Sequence, residues 1–510
     1  MQKSSLEIAR SFQIKSSPDR ALFRFFEILP GALSWSTIFL AVYLSYQAPT
    51  VVAIFIICFD FFWLTRIIYL SFHQLTSFKE LQKNLQIDWS EKLQKEHPES
   101  WPKIYHLVVL PTYQETIEII ESSCQALEKA PYPQKKMIVV LALEERAGPK
   151  VREKARRIKE KYEKTFFRFF ISIHPQNIKG EVAGKGSNFA WAIKEVKEKL
   201  IEPFSIPKDN ILVSNFDIDT RPYPQYFSCL TWHYLNSKNP LRSSYQPIPL
   251  YNNNIWQAPA FSRVIATSGT FWQMMQQERP EQLVSYSSHA LPFKVLEEVG
   301  YPASVVSDDS RIFWKSYFFY NGKYRVCPLH YPVSMDAVMA KTLFRTIINQ
   351  YKQQRRWAWG AENIPYVLYN FIKNKKISLS EKLRHSLIIL EGFWSWAIAT
   401  LLIFLLGWLP LILGGEQFNL SLLSYNLPRM TSYIMTIAMV GMVIGAGISF
   451  SLLPPRPPQY KKNKTLFMIL QWLLLPLTLI IFGSFPALDA QTRLMLGKDL
   501  PFWPTEKIRK

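Results

Sequence analysis

Three groups of polar residues, each placed where an apolar run gives out, could carry chemistry in this chain. The first is Asp217-Ile-Asp219, four residues beyond the strand-like Ile211-Leu-Val213. Carboxylates one residue apart at a strand end can turn one oxygen to a divalent cation and another to a ribose, and Mg²⁺ or Mn²⁺ prefers such oxygen ligands. The letters alone are common; the strand end gives them weight. The second is Val305-Val-Ser-Asp308-Asp309. Sugar transfer with inversion needs a base beside the attacking hydroxyl, and one of this pair can serve, while Asp308 can also cap a helix. The third is Gln353-Gln-Arg-Arg356-Trp357. Gln353, Arg356 and Trp357 fall at i, i+3 and i+4 on one helix face. Tryptophan stacks on sugar rings, and arginine and glutamine donate to hydroxyls or diphosphate. The same spacing suits an interfacial helix with Trp and Arg among lipid headgroups.

Other polar residues follow apolar runs in the same way. Pro111-Thr112-Tyr113-Gln114-Glu115 comes after Leu107-Val-Val-Leu110, and Glu144-Glu145 after Met137-Ile-Val-Val-Leu141. Gly184-Lys185-Gly186-Ser187-Asn188 opens a helix expected over 189–199. Its glycines let backbone approach a ligand, Ser187 could cap the helix, and Lys185 could meet a phosphate or a uracil carbonyl. It is neither GxGxxG nor GxxxxGK[ST], so dinucleotide and ATPase readings find no support.

The elements that must hold these residues alternate. Strands are expected at 107–110, 137–141, 167–173 and from 211, with helices over 117–129 and 151–166 between them. That is an α/β domain with a mostly parallel sheet, whose ligands sit beyond the carboxyl ends of the strands. The helix KVREKARRIKEKYEK interleaves acids with bases and reads as a solvated face, so no nucleic-acid partner is expected.

Composition points to a bilayer. The net charge is +21, yet 48% of residues are hydrophobic and 15% aromatic. Basic residues beside apolar runs suit anionic headgroups and phosphorylated substrates. The four cysteines form no CxxC pair, which argues against a zinc or disulfide framework and for a reducing compartment. No removable leader is expected. Apolar runs at 29–47 and 51–70, joined by Ala48-Pro49-Thr50, form a hairpin, and further runs lie near 386–414, 431–453 and 465–486. Trp35, Trp394, Trp408, Arg66 and Arg384 read as interfacial anchors. Lys79, Lys83, Lys373, Lys375 and Lys376 flank the polar middle and favour the cytosol. The basic link 454–464 favours it too, but a fifth crossing would put the basic tail outside. Pro476 makes the last run the candidate for an interfacial or re-entrant segment. Asp60 and Glu391 lie within apolar runs and need a partner, a proton or a polar path. The expected units are an N-terminal tail and hairpin at 1–75, a transferase domain at 100–380, and a membrane region with basic tail at 386–510.

Together these residues resemble family-2 glycosyltransferases of the cellulose synthase and hyaluronan synthase kind. Pro111-Thr112-Tyr113, Asp217-Ile-Asp219, Ser307-Asp308-Asp309 and Gln353-Gln-Arg-Arg356-Trp357 match that family's motifs in order, over roughly 105–360. The resemblance implies a GT-A nucleotide-sugar transferase fold, Rossmann-like, inserted between transmembrane helices. It also implies an NDP-sugar donor, most often UDP-sugar, with Mg²⁺ or Mn²⁺ and inversion. It implies that Thr112, Tyr113, Glu115, Glu144 and Lys185 bind the nucleotide sugar and that Asp217 meets ribose or diphosphate. Asp219, with Asp217, would hold the metal, and Asp309, supported by Asp308, would act as base. Gln353, Arg356 and Trp357 would frame the acceptor. Phe502-Trp-Pro-Thr505-Glu-Lys507 is similar to the family's FxVTxK gating loop, with Pro504 in place of Val. Departures are Glu144-Glu145 where Asp is usual, which could alter recognition of the base, and Asp308 where Glu is usual. The expected activity is transfer to a growing polysaccharide at a cell membrane of bacterial plasma-membrane type, with the catalytic domain cytosolic. The alternatives are a non-processive transferase acting on a lipid-linked acceptor and a sensing protein that has lost catalysis.

Overall fold

The computed structural model describes residues 3–501, 503, 505, 506, 508 and 509. Its centre is an eight-stranded sheet made of β1 (Tyr105–Thr112), β2 (Met137–Glu144), β3 (Arg168–His174), β4 (Ile211–Asn215), β5 (Arg221–Pro222), β6 (Ser243–Leu250), β7 (Ala290–Pro292) and β8 (Arg325–Ser334). The order across the sheet is β3-β2-β1-β4-β7-β6-β8-β5. The first four strands run parallel. β7 is antiparallel to β4 and β6, while β6 and β8 pair in parallel. The four strands expected from the apolar runs are present; the second half of the sheet was not legible. β1, β2 and β4 are covered on both faces and therefore read as continuous apolar runs. β6 is SSYQPIPL, and its pairing with β8 is irregular between Gln246 and Ile248, around Pro247, which has no N–H to give.

One face of the sheet packs on the helices Ile117–Glu128, Pro149–Tyr162 and Tyr226–Asn236. The other packs on Lys185–Val196 and Asp308–Phe319. That second core continues through Ala358, Trp359 and Ile364 to Ala397, Leu402 and Ile56 of the apolar helices, so sheet and membrane region share a core. Lys185 is the first residue of its helix, four positions ahead of the expected start. The N-cap is Gly184, and the Ser187 hydroxyl instead donates to the carbonyls of Val182 and Gly184. Likewise Ser307, not Asp308, is the N-cap of the helix that carries the acid pair.

Five helices are long and apolar enough to cross a membrane: Ser17–Gln47, Pro49–Gln86, Leu379–Phe404, Leu422–Ser451 and Asn463–Met495. The expected hairpin is there, but its second helix runs on to Gln86, and Asn84 Nδ2 donates to the His330 carbonyl of β8. The intramembrane carboxylates have partners: Thr431 donates to Asp60, and Arg66 pairs with Glu391. Two expected interfacial anchors tie helices together instead. Trp35 Nε1 donates to Thr492 Oγ1 and Trp394 Nε1 to Thr37 Oγ1.

The fifth segment is interrupted by a 3₁₀ turn at Gln471–Leu474 and a π turn at Ile480–Ser484. Pro476 lies between them, where a missing N–H and ring clash break helical bonding. Near its start Gln471 accepts from Arg263 of the sheet domain; near its end Asp489 accepts from Arg355. In its middle Ser484 donates to the Trp396 carbonyl of Leu379–Phe404. Both flanks of the segment thus contact the part of the chain that carries the sheet, while its middle packs on Leu379–Phe404. An impermeant thiol reagent is therefore expected to label Lys461→Cys and Lys498→Cys from the same side of intact membranes, in a background lacking the native cysteines.

Candidate active site

The carboxyl ends of β1, β2 and β4 lie in adjacent register, so Thr112, Glu144 and Asn215 end neighbouring strands. Lys185 stands in front of β4. Its Nζ is 2.8 Å from Asp217 Oδ1 and 3.1 Å from Asp309 Oδ1, and its side chain is only 10% exposed. Burial works against this charge, but Asp217, Asp309 and Asp308 outweigh burial and hold its pKa above the usual lysine value. One ammonium thus joins the first acid of the D-x-D pair to the second acid of the Asp308-Asp309 pair. Gly186 makes the approach possible: a Cβ there would lie 2.8 Å from Asp308 Cβ and 2.9 Å from the Pro302 carbonyl.

Asp309 is reached from three further sides. Asn215 Nδ2 is 3.4 Å from its Oδ1, the Tyr301 hydroxyl 3.5 Å and His289 Nδ1 3.6 Å. His289 is fully buried and its Nδ1 donates to the Tyr286 carbonyl at 2.8 Å. Burial first, and Lys185 with it, lowers its pKa against the pull of Asp309, so the ring is neutral at pH 7. Tyr301 donates to Asp308 Oδ2 at 3.0 Å. Burial and the Asp309 charge push the Asp308 carboxyl up to about 8, against Lys185. The shift favours the protonated form of Asp308, beside an aspartate that remains a quarter exposed. Tyr301, His289 and Asn215 were not among the expected site residues, because single letters of these types carry no pattern.

The residues expected at the nucleoside end are partly assembled. Arg146 Nε donates to Glu144 Oε2 at 2.5 Å, and its guanidinium lies 4.9 Å over the Tyr113 ring. Glu115 Oε2 accepts from the Tyr113 amide at 2.8 Å. Thr112 does not join them: it is buried and its hydroxyl donates to the Leu110 carbonyl of its own strand.

Asp217 Oδ2 accepts from Ser287 Oγ at 2.7 Å. Asp219 is buried, and its Oδ2 accepts from the Asp336 amide at 2.8 Å. Asp336, just beyond β8, is a further strand-end carboxylate the sequence reading passed over. Its neighbours Val333 and Met335, with Ala337, are the apolar run that could have flagged it. Its side chain is fully buried and accepts from Arg509 Nε at 3.0 Å, with Arg509 NH2 at 2.9 Å. Ile508 N donates to the Met339 carbonyl, so the tail lies along this end of the cleft. Of the gating-loop resemblance, Phe502, Pro504 and Lys507 lie outside the described residues.

The third motif sits on the helix Leu343–Ala358, capped by Thr342 Oγ1 accepting from the Arg345 amide. Trp357 packs on Tyr251 with ring centroids 6.3 Å apart. Tyr251 is half-buried, and burial first, then the charges of Asp217 and Asp219, hold its hydroxyl above the usual tyrosine pKa, which sets it near the carboxylates. Gln353 is buried and accepts from Gln350 Nε2 rather than facing open space. Arg355, by contrast, pairs with Asp489 of the fifth segment at 2.7 Å. The helix therefore turns Trp357 toward Tyr251 and Arg355 toward the fifth segment. Just beyond it, Glu362 Oε1 accepts from the amides of Val306 and Ser307 and from Ser307 Oγ, while Oε2 accepts from Trp359 Nε1. This buried carboxylate fixes the turn that presents Asp308 and Asp309, and no spacing rule would have selected it.

No family model and no curated protein matches this chain. Among solved structures it is similar to the mannosyltransferase PcManGT from Pyrobaculum calidifontis in complex with GDP-Man and Mn²⁺. That match has 14% identity and a TM-score of 0.40, over 76% of this chain and 99% of that one. It is also similar to residues 1–349 of S. aureus TarS, at 9% identity and a TM-score of 0.35, over 78% and 92%. Both likenesses are loose, and the reading of the site rests on its own residues.

Two outcomes follow from the geometry. A carboxyl with its pKa raised in the fold gives stability that is full below its unfolded value, near 3.8, and lost as pH rises toward about 8. The wild type is therefore expected to lose more melting temperature between pH 5 and pH 8.5 than Asp308→Asn does. Glu362→Ala strands two amides and an indole N–H, and should cost about 2–4 kcal/mol in a denaturation measurement.

Proposed function

We propose that this protein is a membrane glycosyltransferase of the GT-A kind, which moves a sugar from a nucleoside-diphosphate donor to a hydroxyl of a growing glycan, with inversion. The observation that carries this reading is Lys185 held between Asp217 and Asp309. It sets a strand-end carboxylate suited to a donor's diphosphate beside a carboxylate suited to deprotonating an acceptor, within one cleft that Trp357 reaches through Tyr251.

In this reading Tyr113, Glu115, Glu144 and Arg146 receive the base, with UDP-sugar as the expected donor. The diphosphate competes with the two carboxylates for the Lys185 ammonium. As Lys185 turns to the phosphates, Asp309 is released from its ammonium partner and faces the acceptor hydroxyl. Asp308 stays protonated, which spares Asp309 a second negative charge alongside it, and Tyr301 and Asn215 keep the pair in place. Asp309 takes the acceptor hydroxyl's proton as that oxygen attacks the anomeric carbon from the face opposite the departing diphosphate. Trp357 and Arg356 stand toward the acceptor.

Among the described residues no three of His, Cys, Asp and Glu converge as a closed metal cage. A divalent cation does not need one here. Mg²⁺ or Mn²⁺ is held in such sites by one or two carboxylates plus substrate phosphates. Asp219 and Asp217 would supply those carboxylates: Asp219 Oδ2 is oriented by the Asp336 amide, and Asp217 by Ser287 at Oδ2 and by Lys185 at Oδ1, the ammonium that turns to the phosphates in this reading. Bound there, the ion would neutralise charge on the departing diphosphate.

The unit boundaries proposed are 1–75 for the tail and hairpin, 100–380 for the transferase domain and 386–510 for the rest. Four crossings and a re-entrant fifth segment leave the transferase domain and the tail on one side, the cytosolic face of a plasma membrane. A second reading, transfer to a lipid carrier, is favoured by Leu343 and Phe344, which are 62% and 70% exposed at the start of the acceptor-side helix.

A donor screen with purified protein, reading UDP or GDP release with Mg²⁺ or Mn²⁺, tests the activity. Asp309→Asn should lower the transfer rate about 10²–10⁴-fold, the range of a lost general base, while nucleotide binding stays within about twofold. An unchanged rate would remove Asp309 from the chemistry. Short lipid-extractable product alone would select the carrier reading.

A further inference from the structure

A second pocket, of about 270 Å³, opens away from the Lys185 centre, between the start of the helix Ala260–Gln277, the residues Met339–Thr346 and the start of the fifth segment at Lys464. Its floor is Arg263, 4% exposed. Arg263 Nε donates to Gln471 Oε1 and its NH1 to the Ala258 carbonyl, at 2.5 and 2.6 Å. Both partners are neutral. Burial, opposed only by Tyr460, pushes its pKa down to about 10, and among the described residues no carboxylate acts on it. A guanidinium this deep without a counter-charge is costly, because buried charges are ordinarily paired. The pocket instead adds cations: Lys341 and Lys464 line it, and Lys464 is close enough to Arg263 for mutual repulsion.

The two lysines head the same tetrapeptide. Lys341-Thr-Leu-Phe344 and Lys464-Thr-Leu-Phe467 come from segments far apart in the chain and meet at this pocket. In each the Leu and Phe are largely exposed: 62% and 70% in the first, 56% and 62% in the second. Three cations gathered at a pocket whose lysine-bearing walls each continue into an exposed Leu-Phe pair suit a phosphate group joined to acyl chains, the charge inside and the chains along the apolar residues.

We propose that this pocket binds the phosphate of an anionic membrane lipid, with Arg263 as its floor, Lys341 and Lys464 at its rim and the two Leu-Phe pairs against the acyl chains. Met339, on its wall, is three residues from Asp336 and accepts from Ile508 of the tail, so the occupant would touch the segment that borders the catalytic cleft.

The test needs no sugar donor, so its result stands apart from the glycosyltransferase reading. Purified protein in neutral detergent is incubated with dioleoyl phosphatidic acid, dioleoyl phosphatidylcholine or inorganic phosphate. Retained lipid is counted by native mass spectrometry, and thermal unfolding is followed in parallel. Phosphatidic acid should be retained in preference to phosphatidylcholine and should raise the melting temperature. Its affinity should fall at least tenfold in Lys341→Gln/Lys464→Gln, whose changed side chains are at the rim and do not burden folding, and in Arg263→Gln where that variant folds. Lys150→Gln/Arg152→Gln, on a distant surface, should bind as the wild type does. Equal retention of the two lipids, or equal binding by the rim variant, would overturn the proposal. Protection by inorganic phosphate without retained phosphatidic acid would overturn the lipid as its source.

Discussion

A buried ammonium has to be paired, and around Lys185 that requirement organises the cleft. Its partners come from elements that are not neighbours in sequence: Asp217 follows β4, while Asp309 opens a helix 124 residues beyond Lys185. Neither carboxylate could be brought this close to the other without the cation, since like charges a few ångströms apart in a half-buried site repel strongly. The lysine therefore acts as a structural clamp in the fold and as a phosphate-seeking group in the proposed reaction. The two roles are in tension, and that tension is what makes donor binding consequential for Asp309.

The clamp is backed by a second anchoring system on the membrane side. Glu362 grips the turn before Asp308, Arg311 donates to Asn363 and to the Glu362 carbonyl, and Arg355 holds Asp489 of the fifth segment. Motion of the apolar helices is thereby connected to the acid pair through hydrogen bonds on buried groups, where such bonds are strong and poorly replaced by water. Sheet and membrane region read as one mechanical unit, consistent with the single core that runs from Val213 to Leu402.

How much of this was legible in the sequence follows from how residues are buried. β1, β2 and β4 were found because strands covered on both faces cannot hide their apolar runs. β6 and β8 were missed because prolines and polar residues interrupt them. Asp217, Asp219, Asp309 and Lys185 were selected by motif and do converge. Thr112 and Gln353 matched a motif too, yet turn their polar atoms inward. His289, Tyr301 and Glu362 were invisible because each acts alone in sequence and gains its meaning only from distant partners, whereas Asp336 follows an apolar run and was passed over. Pro476 and the basic residues on both sides of the last run made its crossing the least decided feature of the sequence. What the letters could not supply was the pair of contacts, Arg263–Gln471 and Arg355–Asp489, that ties both flanks of the segment to the sheet-bearing part of the chain.

The fifth segment also closes contacts between parts of the chain that are far apart in sequence. Arg355 receives its carboxylate from a residue 134 positions later, and Ser34 in the first helix donates to Gln491, 457 positions on. Contacts of such separation form late, after the intervening chain is made and inserted. Until the fifth segment docks, the helix that carries Arg356 and Trp357 has an uncovered apolar flank and the first helix an open polar seam. A chain that lacked the fifth segment would thus leave Arg355 without Asp489 and Ser34 without Gln491, so the Lys185 end of the molecule is completed by the last of the apolar segments.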